Sequence, residues 1–114
     1  MPIQILIADD HGVVRAGLRA LLSAEADIEV MGEAATGEEA VRLAVLWEPD
    51  VVLTDFGMPG LDGIEVTRVL AEQAPKVRVL LLTVHEDAAL LREALRAGAA
   101  GYVIKRAVES ELIN

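Results

Sequence analysis

Four apolar runs that each stop at a polar side chain constrain this chain more than anything else in it. Residues 3–8 (Ile-Gln-Ile-Leu-Ile-Ala) stop at Asp9-Asp10, and residues 51–53 (Val-Val-Leu) lead through Thr54 to Asp55. Residues 79–82 (Val-Leu-Leu-Leu) stop at Thr83, and residues 99–104 (Ala-Ala-Gly-Tyr-Val-Ile) stop at Lys105. Short runs of this kind read as strands buried on both faces. A fifth run, residues 28–34, alternates apolar and polar residues and so reads as a strand exposed on one face, at a sheet edge.

Helical spacing fills the intervals. Val14, Leu18, Leu21 and Leu22 form one stripe, and Ala40, Leu43, Ala44 and Trp47 a second. Val66, Val69 and Leu70 form a third; Leu91, Ala94 and Leu95 form a fourth, which leaves Leu90 off the stripe and exposed. A last short helix is expected from Ala107, with Val108, Leu112 and Ile113 inward. Asp10, Thr36, Asp62 and Asp87 stand where N-caps belong, and Thr36 and Glu39 have capping-box spacing. Gly98 takes the place of a left-handed terminator, and Pro75 follows the end of the third helix.

Strand and helix thus alternate five times. That pattern implies a parallel sheet with helices on both faces, joined by right-handed crossovers. Ligands of such sheets bind beyond the carboxyl ends of the strands. Asp9, Asp10, Asp55, Thr83 and Lys105 all fall there. Periodicity alone does not order the strands.

The 114 residues suit one domain with a single core, and no linker or repeat divides them. Hydrophobic residues make up 54% but aromatics only 3%, so the core is aliphatic. With a formal net charge of −9, non-specific attraction to a DNA backbone is not expected from this piece, and no direct nucleic-acid contact by it is expected. The absence of cysteine removes disulfides, thiol chemistry and cysteine-based zinc sites. No apolar run reaches the roughly 18 residues of a membrane span, and no signal segment opens the chain, so a cytoplasmic location is expected.

Asp55 should sit at the lip of its strand, facing solvent, because Gly57, Pro59 and Gly60 stop the strand behind it. A carboxylate there can ligate a metal, act as a nucleophile or cap a helix. If the first and third strands adjoin, Asp9, Asp10 and Asp55 converge and require a counter-charge. An all-oxygen rim suits Mg²⁺, which keeps several waters and accepts phosphate oxygens. With Lys105 and Thr83 opposite, the same rim could neutralise a transferring phosphoryl group, making Asp55 the natural nucleophile. A small-substrate phosphatase or phosphotransferase is a competing reading, disfavoured because no insertion builds a substrate pocket. An FMN carrier is another, disfavoured because Asp9-Asp10 would repel the FMN phosphate.

Four motifs together resemble the receiver domain of two-component response regulators over the whole chain. They are Ala8-Asp9-Asp10-His11, residues 54–63 (Thr-Asp-Phe-Gly-Met-Pro-Gly-Leu-Asp-Gly), Leu82-Thr83-Val84-His85, and residues 97–105 (Ala-Gly-Ala-Ala-Gly-Tyr-Val-Ile-Lys). The Thr-Val-His and Ala-Gly-Ala-Ala-Gly-Tyr forms most resemble the NarL/FixJ-like subfamily, whose receivers carry a C-terminal LuxR-type helix-turn-helix domain. The resemblance implies a flavodoxin-like fold with strand order 2-1-3-4-5 and a phosphorylation-controlled switch rather than an enzyme. It implies that Asp55 accepts a phosphoryl group from a sensor histidine kinase. Asp10, Asp55 and the Gly57 carbonyl would ligate Mg²⁺, with Asp9 holding a metal-bound water. Lys105, Thr83 and the backbone N–H groups of Phe56 and Val84 would meet the phosphoryl oxygens. Thr83 and Tyr102 would act as the switch pair that reshapes the face of the fourth helix, fifth strand and last helix.

Against the family pattern, Arg106 rather than proline follows Lys105, so that peptide bond is expected trans. Val84 is larger than the residue usual there, and Gly57 offers no side chain to the attacking water; His85, with Val84, is expected to modulate the phosphate lifetime. The last helix is short, so a longer regulator is expected, with a DNA-binding domain beyond residue 114 and self-association through apolar surface near Leu112 and Ile113. A receiver that works only as a scaffold is disfavoured because all five site residues are present. The structural alternatives are plainer: His11 simply begins the first helix, Glu38 and Glu39 start the second, and Trp47 packs.

Overall fold

The structure, a computed structural model, describes residues 2–83 and 88–104. The apolar runs become β1 (Ile3–Ala8), β3 (Val51–Asp55), β4 (Arg78–Thr83) and β5 (Gly101–Ile104), and the alternating run becomes β2 (Ile28–Ala34). All pair in parallel in the order β2-β1-β3-β4-β5, which is the flavodoxin-like order, with β2 at one edge. The intervals become α1 (Gly12–Ser23), α2 (Gly37–Trp47), α3 (Gly63–Gln73) and α4 (Ala88–Ala97). The last helix expected from Ala107, and the Asp87 cap, lie outside the described residues.

Strand alternation divides the core between two helical layers. On one face, Leu6, Val52 and Val79 pack with Leu43 and Ala44 of α2 and Leu70 of α3. On the other, Ile5, Ile7, Leu53 and Leu82 pack with Leu18 and the half-buried Val14 of α1. Leu6, Ile7, Val52, Leu70, Leu81 and Leu82 are fully buried, so burial on both faces accounts for the near-continuous apolar runs of β1, β3 and β4.

The caps are chemically varied. Asp62 forms a complete capping box: its carboxylate accepts the Glu65 N–H at 2.9 Å, and Glu65 accepts the Asp62 N–H at 3.1 Å. Thr36 accepts the Glu39 N–H at 3.2 Å, but Glu39 reaches one residue further back and takes the Ala35 N–H at 2.9 Å. Asp10 does not cap α1. The N-cap is His11, which makes no capping bond through its side chain, and the carboxylate that meets this turn belongs to Asp9, which accepts the His11 N–H at 2.8 Å.

Two stripes differ from expectation. In α4, Ala94 is buried, Leu90, Leu91 and Ala97 are half-buried, and Leu95 is 53% exposed. The inward face therefore runs 90-91-94-97, with Ala97 against the cluster of Ile64, Leu81 and Ala94 and Leu95 turned outward. In α2, Trp47 lies across Gly32, where a Cβ would come within 2.7 Å of the indole, yet it stays 42% exposed at the sheet edge. Among the described residues, no helix is long and apolar enough to cross a membrane.

Candidate functional site

Register brings the site together. Ala8 pairs with Thr54 across β1 and β3, so the next residues, Asp9 and Asp55, come level at the carboxyl edge. Asp55 pairs with Leu82 across β3 and β4, which puts Thr83 one step further along the same rim. Asp9 is fully buried, and Asp55 and Thr83 are each only 6% exposed. Asp55 thus does not face solvent as its loop residues implied; it ends β3 inside the rim, with Asp10 on the exposed side.

Asp9, Asp10, His11 and Asp55 each place a potential ligand atom within 4.8 Å of the others. The imidazole Nδ1 of His11 lies 3.2 Å from Asp9 Oδ1 and 3.1 Å from Asp10 Oδ1. Carboxylates this close repel by roughly 3–4 kcal/mol per pair at an effective dielectric of 20. Three oxygen donors converging beside an exposed loop fit a hard divalent cation such as Mg²⁺, which prefers oxygen to imidazole nitrogen.

The loop after β3 is held from three sides. The Phe56 carbonyl accepts the Gly63 N–H at 2.7 Å, closing the loop onto the start of α3. At Gly63 a Cβ would sit 2.6 Å from the Asp55 carbonyl oxygen and 2.6 Å from Leu81, so only glycine allows α3 to start this close to the acid. Gly60 has φ +78°, and the adjoining Leu61 N–H donates to Glu38 Oε1 at 2.7 Å. Glu38 is therefore more than a helix-start residue: it ties the first turn of α2 to the loop. Nothing lies within 4 Å of where a Gly57 Cβ would stand, so that position opens to solvent.

The other expected site residues divide. The Phe56 N–H donates to the Leu82 carbonyl at 3.0 Å, so the donor expected for a phosphoryl oxygen is engaged in the sheet. Tyr102 pairs with Leu81 in β5 and is 46% exposed. Lys105, Val84 and His85, and the Lys105-Arg106 bond, lie outside the described residues.

His11 begins α1 as expected, and its imidazole also lies in the acid cluster. Sequence reasoning missed one side chain. Arg15 carried no assignment, yet its NH1 donates to the Asp9 carbonyl at 2.7 Å. A signal existed: helical side chains lean toward the N-terminus, so an arginine one turn in reaches the preceding loop.

A five-stranded doubly wound sheet with an acidic rim at the carboxyl ends of its central strands defines an α/β domain of the kind that binds its ligands at that edge. The model of the response regulator receiver domain family matches residues 5–114. Response regulator UvrY of Escherichia coli K12 is 43% identical over 98% of this chain, and the transcriptional regulatory protein LiaR of Bacillus subtilis is 43% identical over the same share. The chain spans about half the length of these relatives, 51% and 53%. Among solved structures, a LuxR-family two-component response regulator from Aurantimonas superposes with a TM-score of 0.88 at 36% identity, covering 99% of this chain and 86% of that one. The isolated receiver domain of RcsB from Salmonella enterica, in the presence of the phosphomimetic BeF₃⁻, gives 0.85 at 28% identity, covering 93% and 79%. This chain belongs to the response regulator receiver family, close to NarL/FixJ-type transcriptional regulators. As a member of that family it is a phosphoacceptor switch of a two-component system and not an enzyme.

Proposed function

We propose that Asp55 accepts a phosphoryl group from a phosphohistidine of a sensor histidine kinase and so switches a transcriptional output. The observation that carries this reading is the convergence of the Asp9, Asp10 and Asp55 carboxylates within 4.8 Å at the end of β3, beside buried Thr83. A carboxylate oxygen of Asp55 attacks phosphorus, the P–N bond breaks, and its electron pair returns to the imidazole nitrogen, which takes up a proton. Bound Mg²⁺ would supply charge neutralisation for the phosphoryl oxygens. Asp10, Asp55 and the Gly57 carbonyl are its proposed ligands, and Asp9 is proposed to act through water.

Lys105 and Thr83 are proposed to receive the phosphoryl oxygens, with the Val84 N–H. The Phe56 N–H could join them only by sharing or leaving its bond to Leu82. Tyr102, exposed in this structure, would move inward with Thr83 and reshape the α4–β5 face. His85 and Val84 are proposed to set the phosphate lifetime. The transcriptional output, proposed to run through a DNA-binding domain elsewhere in the protein, rests on the name of the half-matched relative LiaR, a transcriptional regulatory protein. Self-association and a cytoplasmic location belong to the same reading.

The test is incubation with acetyl phosphate and Mg²⁺, followed by intact-mass measurement. The parent should gain one phosphoryl group and Asp55→Asn none; equal labelling of both, or of neither, overturns the reading.

A further inference from the structure

We propose that Arg15 is a positioning residue for the acidic rim: clamped by Glu33, it holds the Asp9 carbonyl and thereby sets the Asp9-Asp10 turn for a divalent cation. The inference rests on the reading of that rim as a cation site. Its basis is a chain of contacts from the sheet edge to the site. Glu33, on edge strand β2, takes Arg15 Nε at 3.2 Å on one oxygen and Arg19 NH1 at 2.8 Å on the other. With Nε so fixed, Arg15 NH1 donates to the Asp9 carbonyl at 2.7 Å. Asp9 in turn closes its own turn by accepting the His11 N–H at 2.8 Å, which leaves Asp10 between two constrained peptides.

The plain alternative is a surface ion pair, and exposed pairs contribute little. Two observations argue against it. The Arg15 side chain is only 23% exposed, and its shortest bond goes to the backbone of a fully buried site residue rather than to an acid. A planar guanidinium can serve Glu33 and the Asp9 carbonyl with different nitrogens in one fixed geometry; a lysine ammonium brings the same charge from a single point. Lysine therefore separates geometry from charge. Groups that orient metal ligands typically change affinity by 10–100-fold when altered.

The experiment compares parent, Arg15→Lys, Arg15→Gln and Glu33→Gln. Mg²⁺ binding is measured by calorimetry, labelling by acetyl phosphate is followed across Mg²⁺ concentrations, and His11 amide exchange is measured in the metal-free protein. Both Arg15 variants should weaken Mg²⁺ binding by about tenfold. The half-saturating Mg²⁺ concentration for labelling should rise in step, while the rate at saturating Mg²⁺ stays near that of the parent. The His11 amide should exchange faster. Glu33→Gln, which leaves the arginine in place and tests the clamp without removing it, should shift all three in the same direction by less. Parent-like Mg²⁺ affinity in Arg15→Lys means that charge alone suffices and overturns the proposal, as does parent-like affinity in Arg15→Gln. A parent that binds no Mg²⁺ overturns the reading of the rim itself, and the inference with it.

Discussion

The two halves of β1 and β3 obey opposite rules. From Ile5 to Ala8 and from Val51 to Leu53 the strands are aliphatic and packed against helices on both sides; after them Asp9, just past β1, and Thr54 and Asp55, at the end of β3, are just as buried but polar. Burial of apolar side chains contributes stability in proportion to area. Burial of like charges near one another opposes it, and such groups persist where a function requires them. The first halves should therefore control whether the domain folds, and the second halves what the folded domain can do.

The largest effect expected lies at the polar end. Asp55→Asn should abolish labelling by acetyl phosphate while unfolding remains a single cooperative transition. A variant that failed to fold would place Asp55 among the supports of the domain and erase the contrast. One step down, Leu6→Ala should lower stability by about 3 kcal/mol, since Leu6 is fully buried beneath α2 and α3. Urea unfolding measures that loss. At a temperature where the variant stays folded it should still accept one phosphoryl group, and loss of labelling there would mean that the two halves are mechanically coupled.

Gly63→Ala tests the border between the regions. An added Cβ would meet the Asp55 carbonyl and Leu81 together, so rim and interior must both shift. We expect about 2 kcal/mol of destabilisation together with slower labelling of Asp55. Destabilisation without any change in labelling rate would show that the strand end can move without disturbing its side chain.

The same contrast explains what could be read in advance. Strand positions followed from apolar runs because Leu6, Val52 and Leu82 have no role but packing, and packing has a period. The pairing of β1 with β3 is invisible to periodicity; it came from the family resemblance, and with it the convergence of Asp9 and Asp55. Faces of helices were legible only as far as bulk tracks burial. Apolar spacing puts Leu95 inward with Leu91 and Ala94, whereas α4 turns the smaller Ala97 toward Ile64 and Leu81. Single hydrogen bonds were the least legible. Asp9 rather than Asp10 meets the first turn of α1 because a loop's path depends on contacts with β2 and α1 that no local pattern encodes; helix geometry lets Arg15 reach that loop but does not name the Asp9 carbonyl as its partner.

The smallest effect separates a loop from the chemistry beside it. Asp62 follows the site loop and begins α3 with a reciprocal capping box, half-buried and outside the acid cluster. Asp62→Ala should lower stability by about 1 kcal/mol through loss of that cap. Asp62→Asn, which can still accept the Glu65 N–H, should recover most of it. Neither should change the Mg²⁺ requirement or the extent of labelling, because the loop keeps its bonds from Gly63 to Phe56 and from Leu61 to Glu38. If Asp62→Ala instead raised the Mg²⁺ needed for labelling, the acidic rim would extend through the whole loop to α3, and the border between folding and chemistry would lie further along the chain than Asp55.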